Sequence, residues 1–133
     1  MTDVVIIDTD ILIDIGRRVH EAIDCLKQIK EKSSTAISTI TQMELMIGCR
    51  DKQELQLMND FLQQFQIIKL DEQISDTSVY LLKRYRLSQG LLLADAIIAA
   101  TAVAIDVPLA TKNQRDFQFI KELNLLPYPT PYP

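Results

Sequence analysis

The stretch Val4-Val5-Ile6-Ile7-Asp8-Thr9-Asp10 decides the fold class of this 133-residue chain. Four consecutive β-branched residues favour a strand that is buried on both faces, as in a parallel sheet covered by helices. The strand pattern ends at Asp8, and Ile11-Leu12-Ile13 then has the character of a first helical turn. We therefore expect Asp8 at the carboxyl end of a buried strand, where open α/β sheets bind their ligands.

Strand and helix patterns alternate along the rest of the chain. Further short strands are predicted at 36–38, 66–70 and 109–111, and helical patterns cover 11–16, 19–29, 40–47, 52–64, 71–85, 93–106 and 115–123. This alternation is typical of an α/β fold, with a central, mostly parallel sheet of four to five short strands flanked by helices. Since no linker divides the chain, we predict one domain over residues 1–126.

A separate tail follows at residues 127–133, with the sequence Pro-Tyr-Pro-Thr-Pro-Tyr-Pro. Alternating prolines favour an extended or polyproline-like backbone. A solvated end is the favoured interpretation of this tail.

The composition argues against several classes of protein. Cys25 and Cys49 are isolated in the sequence, which argues against a disulfide framework and against a zinc site. His20 is the only histidine, and three glycines are too few for a Gly-rich phosphate loop. The net charge of −4 argues against a protein that coats nucleic acid through bulk positive charge.

The hydropathy of the chain predicts no membrane-spanning segment. The longest mainly apolar stretch, 94–105, contains Asp95 and is far too short for a membrane span. No basic segment precedes the Val-Ile run, so we expect neither a signal peptide nor an anchor. Together with two cysteines that we interpret as reduced, this pattern predicts a cytoplasmic protein.

Four carboxylates stand out, although each also has an ordinary structural explanation. Asp8 and Asp116 could each cap a following helix. Glu44 lies in an apolar helical stretch, where Thr41-x-x-Glu44 also fits a capping box. Asp95 is the sharpest case, because it opens a helix that is otherwise almost wholly apolar. A parallel sheet gathers strand ends and helix starts on one side, so the four together favour a shared site.

Clustered acids of this kind indicate a metal-dependent hydrolase. Carboxylates that are packed together repel one another unless cations neutralise them. Mg²⁺ or Mn²⁺ is the expected partner, because these hard ions prefer oxygen ligands and keep waters for a substrate phosphate. Such ions activate water and stabilise the leaving oxygen of a phosphodiester, a reaction that needs no histidine.

Four segments, in this order, carry a family resemblance over nearly the whole chain: Ile6-Ile7-Asp8-Thr9-Asp10-Ile11-Leu12-Ile13-Asp14, Ile37-Ser38-Thr39-Ile40-Thr41-Gln42-Met43-Glu44-Leu45-Met46-Ile47-Gly48, Ala94-Asp95-Ala96-Ile97-Ile98-Ala99-Ala100-Thr101-Ala102 and Leu109-Ala110-Thr111-Lys112-Asn113-Gln114-Arg115-Asp116-Phe117. Together they resemble the PIN-domain nucleases, and most of all the VapC-type toxins of bacterial and archaeal toxin–antitoxin pairs. The resemblance implies a PIN-like fold and an Mg²⁺- or Mn²⁺-dependent endoribonuclease. It also implies inhibition by a small antitoxin protein and, often, a homodimer.

The same resemblance assigns roles to residues. Asp8 and Asp95 match metal ligands, and Glu44 and Asp116 complete the acidic cluster. The accessory polar positions around the cluster are Thr9, Asp10, Thr111 and Asn113. Asp10 departs from the Asn or Ser that is frequent at its position, and either adds a charge to the site or caps a helix.

Contacts to RNA are predicted from cations that flank the site in sequence. These are Arg17, Arg18, Lys112 and Arg115. Such cations hold phosphates in nucleic-acid complexes, although an exposed cation is more often simply solvated.

Two alternatives to the nuclease remain. Asp8-Thr9-Asp10 after a strand mimics the nucleophile and acid of a haloacid-dehalogenase-type phosphatase, but that family expects Thr or Val where Leu12 stands. The second alternative is a catalytically inactive PIN-like fold that serves as a binding module. A covalent phosphate trapped on Asp8 would favour the phosphatase, and metal binding without RNA cleavage would favour the binding module.

Overall fold

The computed structural model describes residues 3–133, which form a five-stranded parallel sheet flanked by helices. The strands are β1 (Val4–Ile7), β2 (Ser34–Ser38), β3 (Gln66–Ile68), β4 (Leu109–Ala110) and β5 (Leu125–Leu126). The helices are α1 (Thr9–Gly16), α2 (His20–Lys32), α3 (Thr39–Ile47), α4 (Lys52–Leu62), α5 (Glu72–Gln89) and α6 (Leu93–Ala104), with a 3₁₀ turn at Gln114–Asp116. The predicted α/β fold class is confirmed.

The central strand is the Val-Ile run that opens the chain. The strand order is β3-β2-β1-β4-β5, so β1 has a parallel neighbour on each side. Ile6 packs with α5 and α6 on one face of the sheet, whereas Val5 and Ile7 pack with α1, α2 and α4 on the other. The sheet therefore separates two apolar layers, as the unbroken β-branched run predicted.

The predicted helix at 115–123 is wrong. After the 3₁₀ turn the chain makes further turns, with the amide of Ile120 donating to the carbonyl of Phe117 and the amide of Leu123 to that of Ile120. Phe117 and Ile120 are buried, and this three-residue spacing fits tight turns with three residues per turn. The sequence analysis also missed β5, a two-residue strand that pairs with β4.

The prediction that residues 127–133 form a solvated tail is wrong as well. Tyr128 and Tyr132 pack against the core layer formed by α1, α2 and α4, and Pro131 is buried. The ammonium group of Lys32 lies 4.3 Å from the centre of the Tyr132 ring. Two tyrosine rings supply apolar surface whose burial offsets the entropy lost by ordering the tail.

Membrane-crossing helices are absent from the part of the chain that the structure describes: none there is both long and apolar enough.

Candidate active site

Parallel pairing brings the ends of β1 and β4 together at one edge of the sheet. Ile7 pairs with Ala110, and the amide of Asp8 donates to the Ala110 carbonyl at 2.9 Å. Asp8 and Thr111 therefore leave neighbouring strands side by side. Glu44 reaches the same edge from α3, which follows β2 directly.

Asp8 is both a helix cap and the deepest acid of the site. Its Oδ1 accepts from the amide of Thr9 at 2.7 Å, which makes it the N-cap of α1. Its Oδ2 accepts from the hydroxyl of Thr111 at 2.7 Å, and the residue is only 5% exposed. Burial, followed by repulsion from Asp10, raises the pKa of Asp8 to about 8, against these two hydrogen bonds and with a further contribution from Asp95.

Asp95 interacts electrostatically with the other acids of the site. It lies half-buried in the first turn of α6. Burial raises the pKa of Asp95 to about 6, and repulsion from Asp116, Glu44 and Asp10 adds to this effect. The predicted acids therefore share one electrostatic environment, although they come from four separate segments.

Glu44 is oriented by a hydroxyl group and does not form a capping box. The Thr9 hydroxyl donates to Glu44 Oε1 at 2.7 Å and lies 2.9 Å from the hydroxyl of Thr41. Because one hydroxyl carries one proton, Thr9 accepts from Thr41 while it donates to the carboxylate. The cap of α3 is Ser38, whose Oγ accepts from the amide of Ile40. The capping-box explanation for Glu44 is therefore wrong.

Asp116 is exposed at the end of the 3₁₀ turn, near Asp95. The alternative that it caps a final helix is wrong, because the chain forms turns there. Its position instead depends on the segment 111–116, which carries the chain from β4 back to the acidic edge.

Asp10 ties α1 to that segment. Its carboxylate accepts from the amide of Asn113 at 3.0 Å and from the amide of Lys112 at 3.4 Å, and it lies 3.2 Å from the hydroxyl of Thr111, whose one proton goes to Asp8. Asp10 is not the cap of α1, since Asp8 has that role. The accessory positions 111 and 113 thus contact Asp10 through a hydroxyl and a backbone amide.

Asp14 is a residue of this arrangement that the sequence analysis missed. Its Oδ2 lies 2.9 Å from the ammonium nitrogen of Lys112, and Asp14 is only 7% exposed. A signal was available, because Asp10 and Asp14 are spaced i, i+4 on an otherwise apolar helix and so share a face. The ion pair provides a second tether between α1 and the segment after β4.

The predicted RNA-contacting cations differ in their surroundings. Lys112 is engaged by Asp14, and the charge of Arg17 reaches Lys112. Arg17 and Arg18 follow the last turn of α1, about 12 Å along the helix from its start at 1.5 Å per residue. Arg115 is the predicted cation that lines a pocket together with Asp95 and Asp116.

The donor chemistry suits a hard divalent cation, although the acids do not form a closed cage. Within residues 3–133, no three Asp, Glu, His or Cys side chains converge closely enough to enclose a metal ion. Mg²⁺ commonly binds through one or two carboxylates and retains several waters, so it does not require such a cage. The all-oxygen donor set of Asp8, Asp95, Glu44 and Asp116 fits an ion that is held partly through water.

Comparisons with known proteins identify related chains over most of this length. A family model described as PIN domain matches residues 5–123. A protein named ribonuclease VapC1, from Methanocaldococcus jannaschii, is 31% identical over 126 residues, covering 93% of this chain and 86% of that protein. A chain in a toxin–antitoxin complex from Klebsiella pneumoniae is 37% identical, with a TM-score of 0.74 and coverage of 96% and 98% of the two chains. A chain of VapBC2 from Rickettsia felis, solved bound to a DNA fragment from their promoter, is 26% identical, with a TM-score of 0.78 and coverage of 92% and 96%.

Proposed function

This chain belongs to the PIN-domain family, and on that premise we propose that it is a metal-dependent endoribonuclease that hydrolyses RNA phosphodiester bonds. The observation that carries the proposal is the gathering of the four acids. Thr9 is hydrogen-bonded to both Asp8 and Glu44, Asp95 and Asp116 line one pocket, and repulsion from Asp116 and Glu44 contributes to the raised pKa of Asp95. The relative from Methanocaldococcus jannaschii is named a ribonuclease and matches nearly the whole chain, which supports the same reaction.

The four acids have different roles in the proposed site. Asp8 and Asp95 would hold the cation, and Glu44 and Asp116 would orient water beside it. A bound Mg²⁺ or Mn²⁺ supplies an activated water and stabilises charge on the leaving oxygen. Thr9 fixes the direction of Glu44 by a hydrogen bond of 2.7 Å, so this carboxylate is positioned before the substrate arrives.

Two neutral hydrogen-bond donors orient the carboxylate of Asp8. The Thr111 hydroxyl and the Thr9 amide hold both Asp8 oxygens in place without adding a positive charge. Asp8 would hold the cation in its ionised form, because a carboxylate must lose its proton to bind a metal ion.

The protein acts as the toxin of a type II toxin–antitoxin pair, and a cognate antitoxin protein neutralises it. This part of the proposal is supported by the Klebsiella pneumoniae structure, a toxin–antitoxin complex with a chain of the same fold at 37% identity. We place the active protein in the cytoplasm, since RNA substrates and reduced cysteines belong to that compartment. The homodimer is proposed from the family resemblance alone.

A catalytically inactive binding module is the second candidate. It is favoured by the observation that no three acids within residues 3–133 enclose a metal ion. The phosphatase alternative has less support, because the acid it requires at position 10 is occupied by the amides of Lys112 and Asn113.

The test is RNA cleavage by the purified protein with Mg²⁺ or Mn²⁺. We expect cleavage that EDTA abolishes, and we expect Asp8→Asn and Asp95→Asn to abolish it without loss of the fold. Asp71→Asn is the matched control, because Asp71 is an exposed helix cap and Asn caps a helix equally well. Unchanged cleavage by Asp8→Asn would refute the assigned site, and metal binding without cleavage of any RNA would favour the binding module.

A further inference from the structure

A pocket of about 450 Å³ opens beside two of the acids. Asp95 and Asp116 lie in its lining, whereas Asp8 and Glu44 do not. One wall is formed by Gln89 at the end of α5 and by the connection from α5 to α6. The other wall is the segment after β4. The pocket is therefore continuous with the acidic site and extends beyond it.

The wall after β4 is held rigidly, although it is not a helix. Phe117 is 1% exposed and Ile120 is 3% exposed, so the segment is anchored in the core. The ring of Phe119, which lines the pocket, lies 5.5 Å from the ring of Tyr85. The Tyr85 hydroxyl in turn donates to Glu122 at 2.6 Å. A pocket wall with this support keeps its shape before a ligand binds.

The opposite wall is fixed by Arg86 and Gly90. The guanidinium of Arg86 donates to the carbonyls of Gly90 and Leu91, both at 3.2 Å. Gly90 ends α5 with φ of +74°, a left-handed conformation that a side chain would strain. This turn carries the chain from α5 into the pocket wall. Both walls are thus preorganised, which reduces the entropy lost on binding.

The lining chemistry suits a nucleobase. Phe119 offers an aromatic surface, and Gln89 and Gln118 each offer an amide with both donor and acceptor atoms. Such amides match the polar edges of bases, and aromatic rings stack on their faces. A phosphate would fit less well, because Arg115 is the lone cation in the lining beside Asp95 and Asp116. The volume lies within the range of about 300–1,000 Å³ that small-molecule sites occupy.

We propose that this pocket receives one unpaired base of the RNA substrate, next to the phosphate that is cleaved at the acidic site. The inference rests on the proposed ribonuclease function for its substrate class. Phe119 contacts the face of the base, and Gln89 and Gln118 select its edge. The pocket thereby couples the choice of cleavage site to a single-stranded nucleotide, since a base within a duplex cannot enter it.

Binding is tested first with probes that contain no internucleotide bond. The four nucleoside 5′-monophosphates are titrated in Mg²⁺ buffer against protein whose Gln side-chain amides and Phe rings are observed by NMR. We expect the Gln89, Gln118 and Phe119 signals to shift, with a preference among the four bases. Shifts elsewhere, or none, would overturn the proposal. Shifts at these residues in a protein that cleaves no RNA would support the pocket while refuting the proposed function.

RNA cleavage assays then measure how much the pocket contributes to kcat/KM. For a mapped RNA site, the base beside the scissile phosphate is removed to give an abasic substrate. We expect kcat/KM to fall by roughly 5- to 150-fold, the range for loss of one stacked base. Phe119→Leu should lower cleavage of the intact RNA and leave the abasic RNA unaffected. An equal loss on both RNAs would indicate a purely structural role and would overturn the proposal.

Three further variants keep the test decisive. Phe61→Leu is the matched control, because Phe61 is half-buried on α4 and its ring lies 5.6 Å from that of Phe65, outside the pocket. It should not change the ratio between intact and abasic RNA. Gln118 is exposed, so Gln118→Leu should fold normally and alter the preference among bases. An unchanged preference in both Gln118→Leu and Gln89→Leu would count against edge recognition.

Discussion

Replacing Asp8 by Asn is expected to stabilise the metal-free protein at pH 8 while it abolishes cleavage. The side chain is 5% exposed, and burial raises the pKa of Asp8 from 3.8 to about 8. A raised carboxyl pKa means that the folded state binds the proton more tightly than the unfolded state. The corresponding stability is present at low pH and is lost as the pH rises from about 4 through about 8.

The size of the effect follows from the pH interval. Each pH unit between the unfolded and folded pKa values lowers the free energy of unfolding by about 1.4 kcal/mol. Between pH 5 and pH 8 Asp8 alone therefore removes about 4 kcal/mol, which is a large part of an ordinary domain's stability. Asn carries no charge and escapes this loss. It also keeps both hydrogen bonds, because the Thr111 hydroxyl can turn to accept from the amide and donate to Asp10, 3.2 Å away.

The assay is urea unfolding of both proteins in EDTA at pH 5 and pH 8. The wild-type protein should lose stability over this interval, and Asp8→Asn should lose about 4 kcal/mol less. Asp71→Asn serves as the control and should follow the wild-type curve at both pH values, since Asn replaces Asp well at a helix cap. The reasoning is refuted if Asp8→Asn is less stable than the wild-type protein at pH 8, or if its pH dependence is unchanged.

Two other predictions concern the tethers of the site and of the tail. Lys112→Met should lower the free energy of unfolding, because it leaves the nearly buried Asp14 without its ion-pair partner, and Asp14→Asn should recover part of the loss in the double variant. If Lys112→Met weakens RNA binding but leaves urea unfolding unchanged, Lys112 is a phosphate contact and not a tether. Tyr132→Ala should destabilise the protein by about 1–2 kcal/mol in the same assay, through lost apolar burial and the lost contact with Lys32. A variant as stable as the wild-type protein would mean that the tail contributes nothing to the fold in solution.

Local sequence information was sufficient for the centre of the fold. The Val-Ile run favours a strand with apolar layers on both of its faces. Such a strand places Asp8 at the edge of the sheet. Asp95 was identifiable because a charge in the first turn of an apolar helix contrasts with all its neighbours. Such signals are contained within a few residues, and packing elsewhere does not change them.

Features that depend on distant contacts were not predictable. Leu125 and Leu126 form a strand only because β4 is available to pair with them, 16 residues earlier in register. The tail orders because Tyr128 and Tyr132 meet a core layer that helices far upstream create. The i, i+4 spacing of Asp10 and Asp14 indicates a shared helix face, but the role of Asp14 comes from an ammonium group 98 residues away.

The neighbours of the acids explain how the site remains available to a metal ion. A Lys or Arg beside Asp8 would lower the pKa of Asp8 and stabilise the fold. It would also neutralise the carboxylate charge that attracts a divalent ion. Thr9 and Thr111 instead orient Glu44 and Asp8 with hydroxyl protons, which fix direction and add no net charge. Lys112 is held away from this role by Asp14, at 2.9 Å. The acids of the proposed metal site therefore repel one another, and binding of a divalent cation would relieve that repulsion.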